Sequence, residues 1–271
     1  MTACASISRE VLGCLVAGYE KGGTTLAKDL IRHACRMRSC FEGGLLLADS
    51  PAEGIPEPYR TQLVESWALP ETFLDEYHRC GTFEQAYRLL RERSRNVVDK
   101  HRPLIDKTPR YMVVLDAVLR RAPTTPIVVV IRDPALVAES WVRLGQSPAA
   151  AAAAIRLSTA GLARVAGTGV GVDRVYVVRL DDLATTPQAT LDAVAAWLGH
   201  PPRPHDPTML IGTPDASGHH APGIDPTRGT STRAADAGVR ADIERALLEA
   251  GPGIDWVRRL VTGPLSSSPA A

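Results

Sequence analysis

The sequence predicts an α/β fold: one domain with a mainly parallel central sheet flanked by helices. Three observations carry this. Three short runs of apolar, β-forming residues, "VLGCLVA" (11–17), "PIVVVI" (126–131) and "RVYVVRL" (174–180), read as strands, the first two buried on both faces. Helical periodicity fills the chain between them, and strands that alternate with helices build parallel sheets. The first run leads into "GYEKGGTTL" (18–26), a glycine-rich turn that opens a helix. That arrangement aims backbone N–H groups and a positive helix end at an anion.

The elements follow in order. After the first strand, "TTLAKDLIRHACRM" sets Leu26, Leu30 and Ala34 on one helical face, with Lys28, Asp29 and Arg32 elsewhere. Residues 40–58 are rich in Gly and Pro and read as loop. Residues 60–98 read as two or three helices. The clearest is "TFEQAYRLLRERSRNVVDKH", with Thr82 as its N-cap and Gln85 at the capping-box spacing. "PLIDKTPRY" (103–111) is a short strand that ends at a Thr-Pro break, and "MVVLDAVLRRAP" is an amphipathic helix stopped by Pro123. The strand "PIVVVIRDP" precedes the helix "ALVAESWVRL". A long alanine-rich helix follows at 148–167, with Gly167–Gly171 as its exit. After "RVYVVRL", the helix "TTPQATLDAVAAWLGH" has Thr186 as cap, Pro187 at its first position and Gly199 past its end. Residues 201–232 form a long connection rich in Pro, Gly, His, Ser and Thr, the pattern of a functional lid or a disordered segment. A last helix spans "RAADAGVRADIERALLEA". The domain is expected over 1–262, with 263–271 a frayed tail.

Composition excludes several classes. Hydrophobic residues are 45% and charged residues 23% of 271, ordinary values for a globular domain, and a net charge of +1 gives no bulk attraction to nucleic acid or anionic membrane. No segment reads as the roughly 20 apolar residues of a membrane helix, and the N-terminus lacks the pattern of a secretory signal. Cys4, Cys14, Cys35, Cys40 and Cys80 are odd in number and form no C-x-x-C pair. They read as free thiols, and the expected location is the cytoplasm. No metal-ligand spacing stands out; His219-His220 reads as an exposed loop pair.

The loop chemistry raises a problem of order. An ATP-binding loop, G-x-x-x-x-G-K-[ST], sets its Lys after the glycines. Here Lys21 precedes Gly22 and Gly23, and Thr24 and Thr25 follow. Only four of the chain's residues are Lys (21, 28, 100 and 107), so a Lys inside a motif is not background. Arg132 ends the strand "PIVVVIR" at the carboxyl edge of the sheet, where open α/β sheets bind ligands, and Ser140 lies eight residues on. An Arg with a hydroxyl suits a phosphate monoester.

Together, "KGGTT", "RDPALVAES", "DKTPRY" and "VYVVRLDDLATTPQATLDAVAAWLG" resemble the signature of the sulfotransferases that use 3′-phosphoadenosine 5′-phosphosulfate (PAPS). The resemblance covers about residues 11 to 200 and implies the sulfotransferase fold, with a P-loop-like phosphosulfate-binding loop. It implies that Lys21, Gly22, Gly23, Thr24, Thr25 and Leu26 hold the 5′-phosphosulfate, that Arg132 and Ser140 hold the 3′-phosphate, and that Lys107 approaches the bridging oxygen. The soluble branch places a His base two residues after that Lys; Pro109 stands there instead. Golgi-type and many bacterial members use a Glu after the first helix, which points to Glu42 as the base, with Asp49 and Asp106 as runners-up. Arg228, Gly229 and Thr230 could replace a missing C-terminal nucleotide-binding segment, and Leu180-Asp181 stands where the family often has Tyr-Glu.

The expected activity is in-line sulfuryl transfer from PAPS to a hydroxyl of a small molecule, glycan or natural product, with a carboxylate base and no metal. The alternatives are a P-loop kinase, which the Lys order disfavours, and a non-catalytic nucleotide-binding protein on the same fold. No nucleic-acid partner is expected, and neither the acceptor nor the oligomeric state is legible.

Overall fold

The computed structural model describes residues 6–204, 210–211, 221–222, 237–249, 251 and 253–262. Its core is a four-stranded sheet in the order β2-β1-β3-β4. The strands are β1 (Leu12–Gly18), β2 (Leu104–Lys107), β3 (Ile127–Ile131) and β4 (Val175–Arg179). Every pairing is parallel. The predicted α/β class and buried strands are therefore present. Every residue of β1, β2 and β3 is buried, the state that a parallel sheet covered on both faces requires.

Side-chain alternation splits the core in two. Ile127, Val129 and Ile131 point into one cluster; Val128 and Val130 point into the other. The smaller cluster is closed by α1 (Thr24–Ala34) and α9 (Pro187–Trp197). The larger one takes α2 (Tyr59–Ser66), α3 (Phe73–His78), α4 (Phe83–Arg93), α5 (Leu115–Arg121), α6 (Pro134–Val142) and the 21-residue α7 (Pro148–Thr168). α10 (Ala237–Glu249) and α11 (Gly253–Thr262) pack on α6 and α7. A short α8 (Leu180–Thr185) follows β4, and β5 (Leu210–Ile211) pairs antiparallel with β6 (Ala221–Pro222).

Several boundaries differ from expectation for physical reasons. Thr82 caps α4 as predicted, accepting from the Gln85 N–H at 3.2 Å, while Gln85 Oε1 accepts from the Gly81 N–H at 2.8 Å. The helix ends at Arg93 rather than running on to His101, because Ser94 turns extended and its hydroxyl donates to the Trp67 carbonyl at 2.6 Å. Thr186 does not cap α9 with its side chain; its hydroxyl donates back to the Asp182 carbonyl at 3.1 Å. The α7 helix is long and apolar enough to span a membrane by length and composition alone, contrary to the sequence expectation. Its apolarity comes largely from small alanines, and Ile155, Leu162 and Val165 are buried in the core. The segment 263–271 lies outside the described residues.

The α7 helix lies close enough to the chain after β2 that side chains are excluded at one point. A Cβ on Gly161 would sit 1.9 Å from the Met112 carbonyl oxygen. Gly→Ala in an open helix gains up to about 1 kcal/mol. Here overpacking at about 1–3 kcal/mol outweighs it. Gly161→Ala is therefore expected to lower the melting temperature, by about 2–10 °C for a domain of this size. An unchanged or raised melting temperature in thermal denaturation would contradict that packing.

Candidate active site

The carboxyl ends of β1, β2 and β3 come together at one edge of the sheet. Val16 of β1 is level with Lys107 of β2, and Gly18 with Val130 of β3. The chain then turns through Tyr19–Gly23 into α1. The Gly22 N–H donates to the Tyr19 carbonyl at 2.9 Å, closing the turn. Lys21 takes a left-handed backbone with φ 62°, a conformation that a side chain resists. Gly23, at φ 85°, precedes α1, and a Cβ there would lie 2.5 Å from Leu180. No side chain caps the first turn of α1. The N–H groups of a first turn have no partner within the helix, which is the feature that suits a helix start to an anion. Lys21 is exposed, Gly22 and Thr24 are buried, and Gly23, Thr25 and Leu26 are half-buried. The loop is tied at its start, where the buried Tyr19 hydroxyl meets Thr159 Oγ1 of α7 at 2.7 Å.

Lys107 and Glu42, which lie 65 residues apart, meet here. Lys107 Nζ donates to Glu42 Oε1 at 2.7 Å. The Lys107 side chain is only 2% exposed and Glu42 16%. The ammonium also lies 4.7 Å from the centre of the Phe41 ring.

The loop that carries Glu42 is held at four points. Lys28 Nζ, buried in α1, donates to the Cys40 carbonyl at 3.5 Å. The Gly43 N–H donates to Asp106 Oδ1 at 3.0 Å, the Gly44 N–H to Thr108 Oγ1 at 3.0 Å, and the Leu46 N–H to the Tyr111 hydroxyl at 3.2 Å. Asp106 is fully buried and also accepts from the Tyr87 hydroxyl at 2.6 Å, the Tyr111 hydroxyl at 2.7 Å and the Thr108 hydroxyl at 3.0 Å. Burial raises its pKa, and those four donors oppose the rise without cancelling it. Both carboxylate oxygens are occupied by structural donors. Asp49 is 78% exposed and pairs with Arg121, which also donates to the Leu46 carbonyl at 2.6 Å. Of the three carboxylates weighed as bases, Glu42 is the one that contacts Lys107.

Arg132 leaves β3 at the same edge, 8% exposed. Burial lowers its pKa, and Asp181 is the largest opposing influence, so the Leu180-Asp181 segment faces it. Ser140 follows on α6, two turns on. Arg228, Gly229, Thr230 and the His219-His220 pair lie outside the described residues. Trp67, Leu69, Phe73 and Tyr77 are core residues, none more than 6% exposed. A cleft of about 520 Å³ opens at the opposite edge of the sheet, among Arg9, Arg91, Lys100 and His200, and none of the predicted site residues lines it.

Sequence reasoning missed Glu20, although it sits inside the quoted loop. Burial raises its pKa first, the Glu42 charge second; Arg110, Lys21 and Lys107 act against both. Tyr59 feels the same charges, and burial with Glu20 and Glu42 pushes its phenol well up. These side chains therefore share one electrostatic neighbourhood. A carboxyl whose folded pKa is raised binds its proton more tightly in the folded chain than in the unfolded one. Stability then falls as pH rises from the unfolded value of about 4.3 through the raised folded value. Glu20→Gln removes that loss. The melting temperature of the variant relative to the parent should be higher at pH 8 than at pH 5; an equal difference at both pH values would remove Glu20 from this neighbourhood.

Comparisons with known proteins give the family and the fold. A model of the sulfotransferase family matches residues 14–204. No curated protein matches the chain. Among solved structures, the sulfotransferase domain of the Synechococcus PCC 7002 olefin synthase superposes with a TM-score of 0.61 at 21% identity, covering 87% of this chain and 93% of that one. The sulfotransferase domain from the curacin biosynthetic pathway gives 0.63 at 17% identity, covering 94% and 99%. A sulfotransferase from Alicyclobacillus acidocaldarius gives 0.55 at 16% identity, covering 94% and 97%. At these identities the three structures speak for the fold. The family match spans most of the chain, from residue 14 to 204, a stretch that holds the glycine-rich loop, Glu42, Lys107 and Arg132, and the chain belongs to the sulfotransferase family.

Proposed function

We propose that this protein transfers a sulfuryl group from PAPS to an acceptor hydroxyl, with Glu42 as the general base. The observation that carries the reading is the Lys107–Glu42 pair, 2.7 Å apart and largely buried at the edge where the glycine-rich loop opens. PAPS supplies an activated sulfuryl group on a 5′-phosphate. The loop fits such a phosphosulfate. Gly23 lacks the Cβ that Leu180 would meet, and the uncapped first turn of α1 presents donors beside Lys21, Thr24 and Thr25. Arg132 is offered to the 3′-phosphate, with Ser140 behind it.

Charge determines the roles. As the sulfuryl group moves, negative charge grows on the oxygen it leaves. Lys107 carries three donors on one ammonium and can keep its contact with Glu42 while directing another donor at that oxygen. Lys21 adds a second, mobile charge from the solvent side. Glu42 takes the proton of the acceptor hydroxyl, and its position on an anchored loop keeps the reorganisation needed for that transfer small. The acceptor enters by the Glu20, Tyr59 and Arg110 side of Glu42. We favour a natural-product hydroxyl over a glycan or other small molecule, because two structural neighbours are domains of an olefin synthase and of the curacin biosynthetic pathway. Free thiols at Cys14, Cys35, Cys40 and Cys80 suit the reducing cytoplasm.

Glu42→Gln should lower kcat by about 10²–10⁴-fold and leave the affinity for 3′,5′-ADP within about twofold, the mark of a lost base rather than a lost site. Lys107→Ala should lower kcat by about 10²–10³-fold. Turnover with labelled PAPS and an acceptor panel, alongside calorimetry with 3′,5′-ADP and ATP, tests both. Retained turnover in Glu42→Gln removes it as the base, and tighter binding of ATP than of 3′,5′-ADP sinks the choice of donor.

A further inference from the structure

The region assigned to the 3′-phosphate contains two guanidinium groups. Arg132 ends β3, nearly buried. Arg143 caps the C-terminal end of α6, exposed, and its Nη2 donates to Ser140 Oγ at 3.1 Å. Ser140 Oγ in turn donates to the Leu136 carbonyl one turn back, also at 3.1 Å. A serine hydroxyl has one hydrogen. With that hydrogen given to Leu136, Ser140 can only accept, and what it accepts is Arg143. In this arrangement the hydroxyl offers no donor to an anion. It orients a guanidinium that has four further N–H donors.

The charges point the same way. Arg143 acts on Arg132 as a like charge, adding to the lowering that burial produces. Two cations that act on each other are both favoured by an anion bound beside them. Of the carboxylates near Arg132, Asp133 accepts the Ala135 N–H at 2.8 Å as the cap of α6, and Glu139 is paired with Arg240 at 2.9 Å. Asp181 faces Arg132 from the start of α8.

We propose that Arg143 is a second binding residue for the 3′-phosphate of the donor nucleotide, opposite Arg132 and held in place by Ser140. This rests on the reading of PAPS as donor and goes beyond it. The Arg-Asp-Pro…Ser signature ends at Ser140, and Arg143 lies one helical turn past it. The geometry makes Arg143 a main source of selectivity for a 3′-phosphorylated nucleotide and Ser140 a positioning residue.

Calorimetry with 3′,5′-ADP and 5′-AMP on the full chain tests this, with thermal denaturation as a check that each variant folds. The parent should bind 3′,5′-ADP more tightly than 5′-AMP. Arg143→Ala should weaken 3′,5′-ADP about 10-fold and leave 5′-AMP within about twofold, the scale of one charge-assisted hydrogen bond. Arg143→Lys should recover part of the loss, because it keeps the charge without the fork. Ser140→Ala should cost less than Arg143→Ala. If the parent discriminates between the nucleotides and Arg143→Ala discriminates equally well, the inference about Arg143 is wrong and the donor reading stands. If the parent binds both nucleotides equally, the donor reading fails, and Arg143 loses its role with it.

Discussion

The site depends on one buried carboxylate. Asp106 lies inside the protein with no exposed surface, yet four donors converge on it, from Gly43, Thr108, Tyr87 and Tyr111. A buried charge is tolerable when its lone pairs are filled, and here they are. Hydrogen bonds to a buried charge contribute roughly 1.5–3 kcal/mol each, and four of them converge on Asp106 where Lys107 and Glu42 share one. By that comparison, the contact between Lys107 and Glu42 does not itself set the active-site geometry. It follows from Asp106, which stands next to Lys107 in β2 and binds the N–H next to Glu42. The two catalytic candidates are neighbours because one residue between them is satisfied from both sides.

The anion loop is preorganised in a different way. Its backbone is bent before any ligand arrives, with Lys21 and Gly23 both at positive φ. Such bends persist only where surrounding contacts outweigh them. The Gly22–Tyr19 turn, the packing of Leu180 against Gly23 and the Tyr19–Thr159 bond supply those contacts. Glu42 is fixed by polar bonds to its own loop. Lys21 remains free at the tip, exposed, where a mobile charge can follow a moving group.

Much of this was legible beforehand. Unbroken apolar runs located β1 and β3, because parallel strands buried on both faces need no alternation to be recognised, and β-forming residues located the partly buried edge strand β4. The loop stood out because its Lys precedes its glycines, and Arg132 because it ends a strand at the carboxyl edge. Lys107 and Glu42 were candidates only through family resemblance, since nothing local marks them as special. What was not legible depends on burial and on long-range contact. Asp106 read as a candidate base because sequence shows a carboxylate and not the tyrosines around it. Glu20 was hidden by its neighbours, in a stretch read entirely as a phosphate grip. Sequence alone does not decide whether Trp67, Phe73 and Tyr77 line a pocket or a core, and packing makes them core. The end of α4 was misplaced because helix propensity runs on past Ser94, while the Ser94 hydroxyl is taken by Trp67.

The bond between Tyr19 and Thr159 has a consequence for where the domain ends. It joins the anion loop to α7, and α7 is flanked by α10 and α11, which lie beyond the stretch matched by the family model. Those last two helices contribute none of the described motif residues. They brace the outer side of the helix on which the loop is moored. A chain cut at residue 204 would keep the described motif residues and lose that brace, so the motifs mark out less than the unit that makes them work.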